Sequence, residues 1–540
     1  MAKTDDPSIA MPDISTSNKY PLVRTLLLTI LCVLSAGLVA SLVATLVMGI
    51  LRVFAGIPTP VELFGDFLLK LLPATTFVDF LIRFAPNPKT VPLGLTLLAM
   101  IAIGTVLSLV YAAIVRIPLP TDKYRPTRRE WFTAIGLGIV LALVGIALFH
   151  EDLRQNQFGF IIFWSTVLSI LGLLADFIAY GVALCLAYRI LLPKQKSSNT
   201  SPVQSRRLLL SRAGVAVVGI GAGVGTVGAI KGYLSQFAFY DGYKTYTPGH
   251  ITPEITSNSL HYVVTQNTVD PTPNIDLWRL EVTGLVHNPG TYTFDEVQQL
   301  PSTSRAITLE CIANGPGGHL MSTAIWQGVP FSSLLQKHGG VLSNASYVVF
   351  YSVDGYTLSQ PLHEVLSVNT LLAWRMNGAD IPMRHGYPMR VLVPGHYGEE
   401  NPKWLTRIEL TDHFVGGLYS DQGWYNGPLH ITSRIDTPTG QVAVGQQTEV
   451  GGVAYGGSNS ISKVEVSTDN GTTWNTATLQ TPLSQDAWVL WTWQWTPPSA
   501  GTYTLVVRCT DGTGQLQTST MQGTVPNGGE GYHKVTVTTA

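Results

Sequence analysis

The segment Thr308 to Leu320, T-L-E-C-I-A-N-G-P-G-G-H-L, sets one cysteine, Cys311, just ahead of Gly315, Gly317 and Gly318. A thiolate is a nucleophile and a soft metal ligand. Residues without a Cβ let backbone and a bulky ligand come close, so the glycines are expected to make room for a large group beside a sulfur-to-metal bond. The other cysteines sit elsewhere: Cys32 and Cys185 in long apolar runs, Cys509 in the alternating strand T-L-V-V-R-C-T-D. Two cysteines in the polar half do not make a disulfide scaffold. A Cys311 to Cys509 bridge is the alternative, and its two ends read as belonging to different domains.

The elements that must position this cysteine fall into two halves. With 46% hydrophobic and 12% charged residues in 540, the chain is too long and too apolar for a single soluble domain. Residues 1 to 235 hold the uncharged runs, with residues 1 to 24 as an inner tail; residues 240 to 540 alternate polar and apolar positions. A net charge of -1, with no basic cluster interleaved with aromatics, gives no case for a nucleic-acid partner.

Runs of about 18 or more apolar residues read as membrane spans. Five are expected within residues 25 to 235: Leu26 to Leu51, Pro92 to Val115, Trp131 to Phe149, one within Phe160 to Leu192, and Ala213 to Ile230. The fourth contains Asp176 and could break near Gly172. Residues 60 to 84 read as an amphipathic segment lying along the lipid surface. Lysine and arginine set the orientation. Arg116, Lys123, Arg125, Arg128 and Arg129 in one loop, and Lys194, Lys196, Arg206, Arg207 and Arg212 in another, place those loops in the cytoplasm. The turn His150 to Gln157, with Glu151 and Asp152, then lies outside, as does everything after Lys231. Ser205 to Arg212, S-R-R-L-L-L-S-R, resembles an internal twin-arginine export signal, of the kind that serves domains exported folded; simple positive-inside topology is the competing reading. Gly223, Gly225 and Gly228 fit G-x-G-x-x-G but lie in an apolar run with no preceding soluble strand, so they read as close helix contacts rather than a nucleotide site.

From Ile251 short strands and helices mix without regular alternation, which predicts an α+β domain over 245 to 432. Strands are expected at Leu260 to Thr265, Trp278 to Gly284, Ser304 to Glu310, Tyr347 to Val353, Arg390 to Val393 and Leu405 to Leu410, and helices at Phe331 to Lys337 and Leu362 to Val368. Residues 433 to 540 read instead as an immunoglobulin-like all-β sandwich. Its alternating Trp491, Trp493 and Trp495 share one sheet face and suit core packing.

T-L-E-C-I-A-N, G-G-H-L and W-Q-G-V-P-F, followed by N-G-A-D-I-P-M-R-H-G-Y-P-M-R-V-L-V-P-G-H-Y-G and N-P-K-W-L, closely resemble the sulfite oxidase family of molybdopterin enzymes. The likeness runs over about residues 250 to 540, since V-E-V-S-T-D-N-G-T-T-W resembles that family's C-terminal dimerisation domain and implies a homodimer. It implies Cys311 as the protein's ligand to molybdenum, and His385, Arg390 and Lys403 as anchors for the molybdopterin. It implies further contacts from Asn258, His261 and Tyr262 in N-S-L-H-Y, and from Ser352, with Asp354 the nearby competitor. Tyr419 in G-G-L-Y-S-D corresponds to the family's active-site tyrosine.

The sequence departs from the family where sulfite is held. Dianionic substrates call for arginines, yet Val263, Val264 and Thr265, then Gly315 and Pro316, then the neighbourhood of Gln522 are not basic. His319, His396 and Lys534 are the replacements on offer. His150 stands alone in the membrane half and no C-x-x-C-H occurs, so no haem is expected and electrons are expected to pass to a separate carrier or quinone. The resulting expectation is a lipid-embedded, extracytoplasmic enzyme of the cytoplasmic membrane that moves an oxygen atom on a small oxyanion or S/N-oxide. Sulfite oxidation is the family default and S-oxide or N-oxide reduction the alternative; a non-catalytic envelope binding protein on a degenerate molybdopterin fold is the contrasting class.

Overall fold

The computed structural model of the chain describes residues 21–73, 90–117, 125–192, 210–219, 249–267 and 269–540, with isolated positions 76, 221, 223, 225 and 228. Among these, four helices are long and apolar enough to cross a membrane: α1 (Pro21–Ala55), α3 (Thr90–Val115), α4 (Arg128–Leu148) and α5 (Ile162–Leu191), with the short α2 (Pro60–Leu71) after α1. They coincide with the first four expected spans, and α5 runs unbroken through Gly172. Of the fifth, an apolar helix α6 (Leu210–Gly219) is described; the Arg206 and Arg207 pair and most of the remainder lie outside the described residues.

The chain divides into two compact units. The first takes residues 1–46, 99–141 and 176–226. Within it Glu130 accepts from the Thr127 amide (2.7 Å), capping α4, and is paired with buried Arg189 on α5. A Cβ at Gly181 would fall 2.2 Å from the Ala134 carbonyl, so the α4 to α5 crossing needs glycine there.

The second unit takes residues 47–98, 142–175 and 227–540, so the polar half and the adjoining helix ends form one body. α2 starts with a Thr59/Glu62 capping box and Pro60 in its first turn. Glu62, Asp66 and Lys70, four residues apart, share one face, whereas Phe64, Leu68 and Leu71 are exposed on another. The polar stripe faces protein: Glu62 pairs with Arg52 and Lys70 with Asp152 (2.8 Å). The exposed apolar face fits a helix lying in the lipid interface. The segment after α4 joins the polar half through main chain. Phe158 accepts from the Asn274 amide (2.8 Å), and Gln157 accepts from Thr272 (3.1 Å) while donating to Gly56 (2.8 Å).

The α+β domain has two five-stranded sheets. The first orders β2 (Gly290–Tyr292), β1 (Leu280–Gly284), β10 (Leu405–Thr411), β5 (Tyr347–Ser352) and β6 (Thr357–Pro361). The second orders β3 (Thr303–Glu310), β4 (Met321–Pro330), β7 (Leu371–Met376) and β8 (Ala379–Asp380), with β9 (Arg390–Leu392) pairing β7. Helices α7 (Phe294–Gln298), α8 (Phe331–Lys337) and α9 (Leu362–Ser367) cap strand ends. Leu260 to Thr265, expected as a strand, is a loop with no ladder of strand partners among the described residues: His261 to Thr265 line a cavity in unbroken succession instead of alternating across a sheet.

The C-terminal strands form two sheets, one built on Thr432–Thr437, Thr448–Tyr455 and Val489–Trp495, the other on Ile461–Ser467, Gly501–Asp511 and His533–Thr539. Trp491 and Trp495 are buried between them with Trp493 packed alongside, as the alternation predicts. Arg434, 3% exposed, binds the two domains: it donates to Asp436 (2.6 Å), to the Gly318 carbonyl (2.8 Å) and to the Thr252 hydroxyl (2.8 Å). Removing one partner of a buried pair strands the other charge. Arg434→Ala is therefore expected to lower the unfolding free energy of the full chain in detergent by about 3–5 kcal/mol, measured by denaturant titration of tryptophan fluorescence; a loss within the range of a surface pair, about 1 kcal/mol or less, contradicts this role.

Candidate functional site

β3 and β4 pair antiparallel from Thr303–Gly328 to Glu310–Met321, so Cys311 to Leu320 is the loop closing the pair. Cys311 is the first residue past β3, its amide bonded to the Leu320 carbonyl (2.9 Å). The glycines of this loop do not open space for a ligand, as the spacing suggested. A Cβ at Gly317 would lie 2.4 Å from the His533 ring, one at Gly315 3.1 Å from Thr524, and one at Gly318 2.4 Å from Asn314. They let the loop fold tightly onto the C-terminal sandwich. Gly398 makes the close approach instead: a Cβ there would sit 2.7 Å from the Tyr262 hydroxyl and 3.7 Å from the Cys311 Cα.

Cys311 forms part of the wall of a cavity of about 110 Å³ that opens to solvent. His261, Tyr262, His385, Arg390, Lys403 and Tyr419 line it too, so six positions implied by the resemblance join Cys311 from four separate segments. Gly386, at φ +116°, lets the turn fold between Arg390 and Lys403. The Arg390 guanidinium is fixed by the His385 carbonyl (2.9 Å) and the Asn401 carbonyl (3.0 Å) and lies over Trp326. Lys403 donates to the carbonyls of Val264 (3.1 Å) and Arg384 (3.3 Å) and sits over Trp404. Tyr419 packs against Trp424, ring centroids 4.3 Å apart.

Asn258 and Ser352 stand off the wall. Asn258 holds the ring behind it, its carbonyl bonded to His385 Nε2 (2.9 Å). Ser352 is buried at the end of β5, and Asp354 reaches the cavity in its place. None of the three replacement cations lines the cavity. His319 faces Arg434 and His533, His396 pairs with Glu400, and Lys534 binds Asn470 on the sandwich. The cavity does contain Arg384, bonded to buried Asp270 (2.7 Å), as well as Tyr356 and Glu399. Sequence reading passed over these although P-M-R-H and G-E-E-N adjoin the recognised motifs.

The cavity's electrostatics follow from the burial of the side chains in its wall. Burial, then the charges of Arg390, Lys403 and Arg384, push His385 down to about 3, and burial with His385 holds His261 well below the usual histidine range. Both rings are neutral. His261 Nδ1 lies 3.1 Å from the Tyr262 carbonyl, and its buried Nε2 has no hydrogen-bond partner among the described residues. Burial, then neighbouring Glu400, pushes Glu399 well above the carboxylate range. Arg390 stays cationic even though burial lowers it to about 10. The wall thus offers three cations, a thiol, and acids held toward their neutral form. A buried side-chain nitrogen without a partner and cations facing a roomy cleft suit an anionic, hydrogen-bonding ligand. Among the described residues no group of three or more His, Cys, Asp or Glu could hold a metal.

Residues 267–419 match the oxidoreductase molybdopterin binding domain, and residues 427–540 the Mo-co oxidoreductase dimerisation domain. The chain is 28% identical over 300 residues to an inducible NADH nitrate reductase 1 of Glycine max, covering 44% of this chain and 34% of that one. It is 29% identical over 292 residues to NADH nitrate reductase 1 of Nicotiana tabacum, covering 43% and 32%. The chain thus spans about a third of the length of the curated relatives it matches. The crystal structure of the sulfane dehydrogenase SoxCD from Paracoccus pantotrophus aligns at a TM-score of 0.45 and 24% identity, covering 51% of this chain and 76% of that one.

Glu310, next to Cys311, gives a pH test. Burial pushes it up to about 8, against a hydrogen bond from Asn314 (2.8 Å) and the Arg434 charge. A native pKa above the unfolded value means stability that is complete below about 4.3 and is lost as pH rises toward 8. Glu310→Gln should therefore flatten the fall in melting temperature between pH 5 and pH 9, as measured by thermal unfolding across that range. An unchanged slope contradicts the assignment.

Proposed function

Because residues 267–540 belong to the molybdopterin-dependent oxidoreductases of the sulfite oxidase kind, we propose that the chain is a membrane-anchored, extracytoplasmic molybdenum enzyme transferring an oxygen atom on a small sulfur or nitrogen oxo compound. What carries this reading is the convergence of Cys311 with His261, His385, Arg390 and Lys403 on one cavity. When bound, molybdenum-molybdopterin supplies two-electron oxygen-atom transfer. The chain's own part is to bind and orient. Cys311 provides the metal with a thiolate. Arg384, Arg390 and Lys403 answer the negative charge of the cofactor's phosphate, and the unpartnered His261 Nε2 accepts from a pterin N–H. Tyr419, fixed on Trp424, is placed to donate to a substrate oxygen.

The assignment of Arg384, Arg390 and Lys403 to the cofactor and the absence of any other lysine or arginine among the described wall residues disfavour a dianion such as sulfite. They favour substrates of lower charge: an S-oxide, an N-oxide, or a monoanion such as the nitrate named for the plant relatives. The electrons leave to a separate carrier or quinone, and the C-terminal domain supports a homodimer.

Location rests on the basic loops and on packing within the second unit. The acidic turn after α4 is bonded to the polar half, so both lie on one side of the bilayer. The chain enters α5 on that side and must cross back before Gly249; helix α6 lies on this return.

Cys311→Ser should abolish dye-linked turnover in both directions, and molybdenum K-edge absorption should count one sulfur ligand fewer than in wild type. Wild type purified without molybdenum, or a variant with an unchanged sulfur count, rejects the reading. Arg390→Lys, which cannot make both carbonyl bonds, should lower pterin content by about tenfold, read as fluorescence of the oxidised pterin released on denaturation. Full pterin retention removes Arg390 from the anchoring set.

A further inference from the structure

Next to the cofactor cavity lies a second one of about 30 Å³, room for one or two waters, and the two share Gln266 and Asp354 in their walls. On the cofactor side the second cavity is bounded by Gln266, Asn267, Asp354 and Gly355. On the membrane side it is bounded by Asp66 and Lys70 of α2 and by Asp152 and Gln155 of the turn after α4. All belong to the second compact unit.

The polar side chains form two hydrogen-bonded pairs in the wall of this one cavity. Asn267 donates to Asp354 (2.7 Å), and Gln155 donates to Asp66 (3.3 Å). Gly355 brings the halves together: a Cβ there would lie 2.8 Å from the Gln155 side chain. Lys70 is paired with Asp152 (2.8 Å) and Glu151 (3.3 Å). Cavities lined this way hold water, because buried carboxyl and amide groups each demand partners.

We propose that Asp354 and Asp66, joined through this second cavity, form the proton path between the cofactor cavity and the lipid-facing edge of the protein at α2. The inference rests on the oxygen-transfer reading above. When one oxygen atom passes from water to substrate, two protons and two electrons leave; the reverse reaction takes both up. The electrons go to the carrier or quinone. The protons need groups that bind and release them near neutral pH. Burial pushes Asp354 up to about 6, against the Asn267 and Tyr356 amide bonds and the Lys403 charge. Burial, then Asp152 and Glu62, pushes Asp66 up to about 8, with the Gln155 bond opposing and Asp354 adding to the rise. Lys70 faces the same cavity with its charge engaged by Asp152 and Glu151. The acid nearer the cofactor titrates below the acid nearer the surface, and each raises the proton affinity of the other when ionised.

The test uses the full chain in detergent, with and without cofactor. In cofactor-free protein, infrared titration should show a protonated-carboxyl band that titrates near pH 8. Asp66→Asn should remove it, and Asp354→Asn should shift its midpoint to lower pH. A band unaffected by either variant overturns the coupling without reference to activity. In the molybdenum-loaded enzyme, Asp66→Asn should slow steady-state turnover by about tenfold or more and raise the solvent deuterium isotope effect, and imidazole should restore the rate by carrying protons in its place. Unchanged turnover overturns the path, as does a loss that imidazole does not repair, which marks a structural role. Gln155→Leu, which keeps both acids, should reproduce the slowing in part; if Asp66→Asn fails to fold, full activity in Gln155→Leu is the overturning result. Wild type that turns over no oxo substrate sinks the oxygen-transfer reading instead, and the infrared titration still decides the coupling of the two acids.

Discussion

The placement of Cys311 depends on a buried guanidinium. Arg434 engages Thr252, Gly318 and Asp436, and Asp436 also accepts from the Thr252 amide (3.0 Å). Those partners come from the segment entering the first cavity loop, the cysteine loop and the first sandwich strand. A charge this far from water keeps its place because all its partners do. With Gly317 seated on His533, and Gly529 so placed that a Cβ on it would fall 2.9 Å from the Gly315 Cα, the sandwich acts as the outer mould of the cysteine loop. The C-terminal domain is thus part of the site's construction even though it gives no residue to the cavity wall.

The cavity separates its charges by origin. Arg384, Arg390 and Lys403 come from one stretch of the chain, held by carbonyls or a buried aspartate and, for Arg390 and Lys403, flattened on tryptophans. Carbonyl bonds and aromatic faces stabilise a cation without neutralising it, so Arg390 and Lys403 keep their attraction for a phosphate, whereas Arg384 shares its charge with Asp270. Asp354 and Glu399 are instead raised toward the protonated form mainly by burial. The same desolvation that strengthens the cations' field silences the acids and the histidines.

What could be read from the sequence follows the range of the physics involved. Apolar runs gave the first four long apolar helices, the amphipathic pattern gave α2, the mixed pattern after the cysteine loop gave the helix Phe331–Lys337, and alternation gave the tryptophan face of the sandwich. The family motifs gave seven cavity residues. Leu260 to Thr265 was misread because a short run rich in aromatic and β-branched residues does not say whether a sheet or a cavity receives it. Gly315 to Gly318 was misread because the neighbours that demand glycine, His533 and Thr524, lie some two hundred residues away in sequence. Asp66 and Asp354 show no sign of each other in the sequence; loop docking alone puts them on one cavity.

The main-chain bonds from Gln157 and Phe158 to Thr272 and Asn274 bear on how the catalytic half can be handled. Trp278, fully buried, lies 3.0 Å from where a Cβ on Gly159 would be, so the turn after α4 covers part of that domain's core. A fragment begun at the apparent domain boundary near residue 245 would lose this cover and leave two backbone amides of the polar half without acceptors. Excision at the sequence boundary therefore cuts through a folding unit, and a soluble preparation would have to carry the turn with it, for example by grafting residues 149–161 onto the excised half.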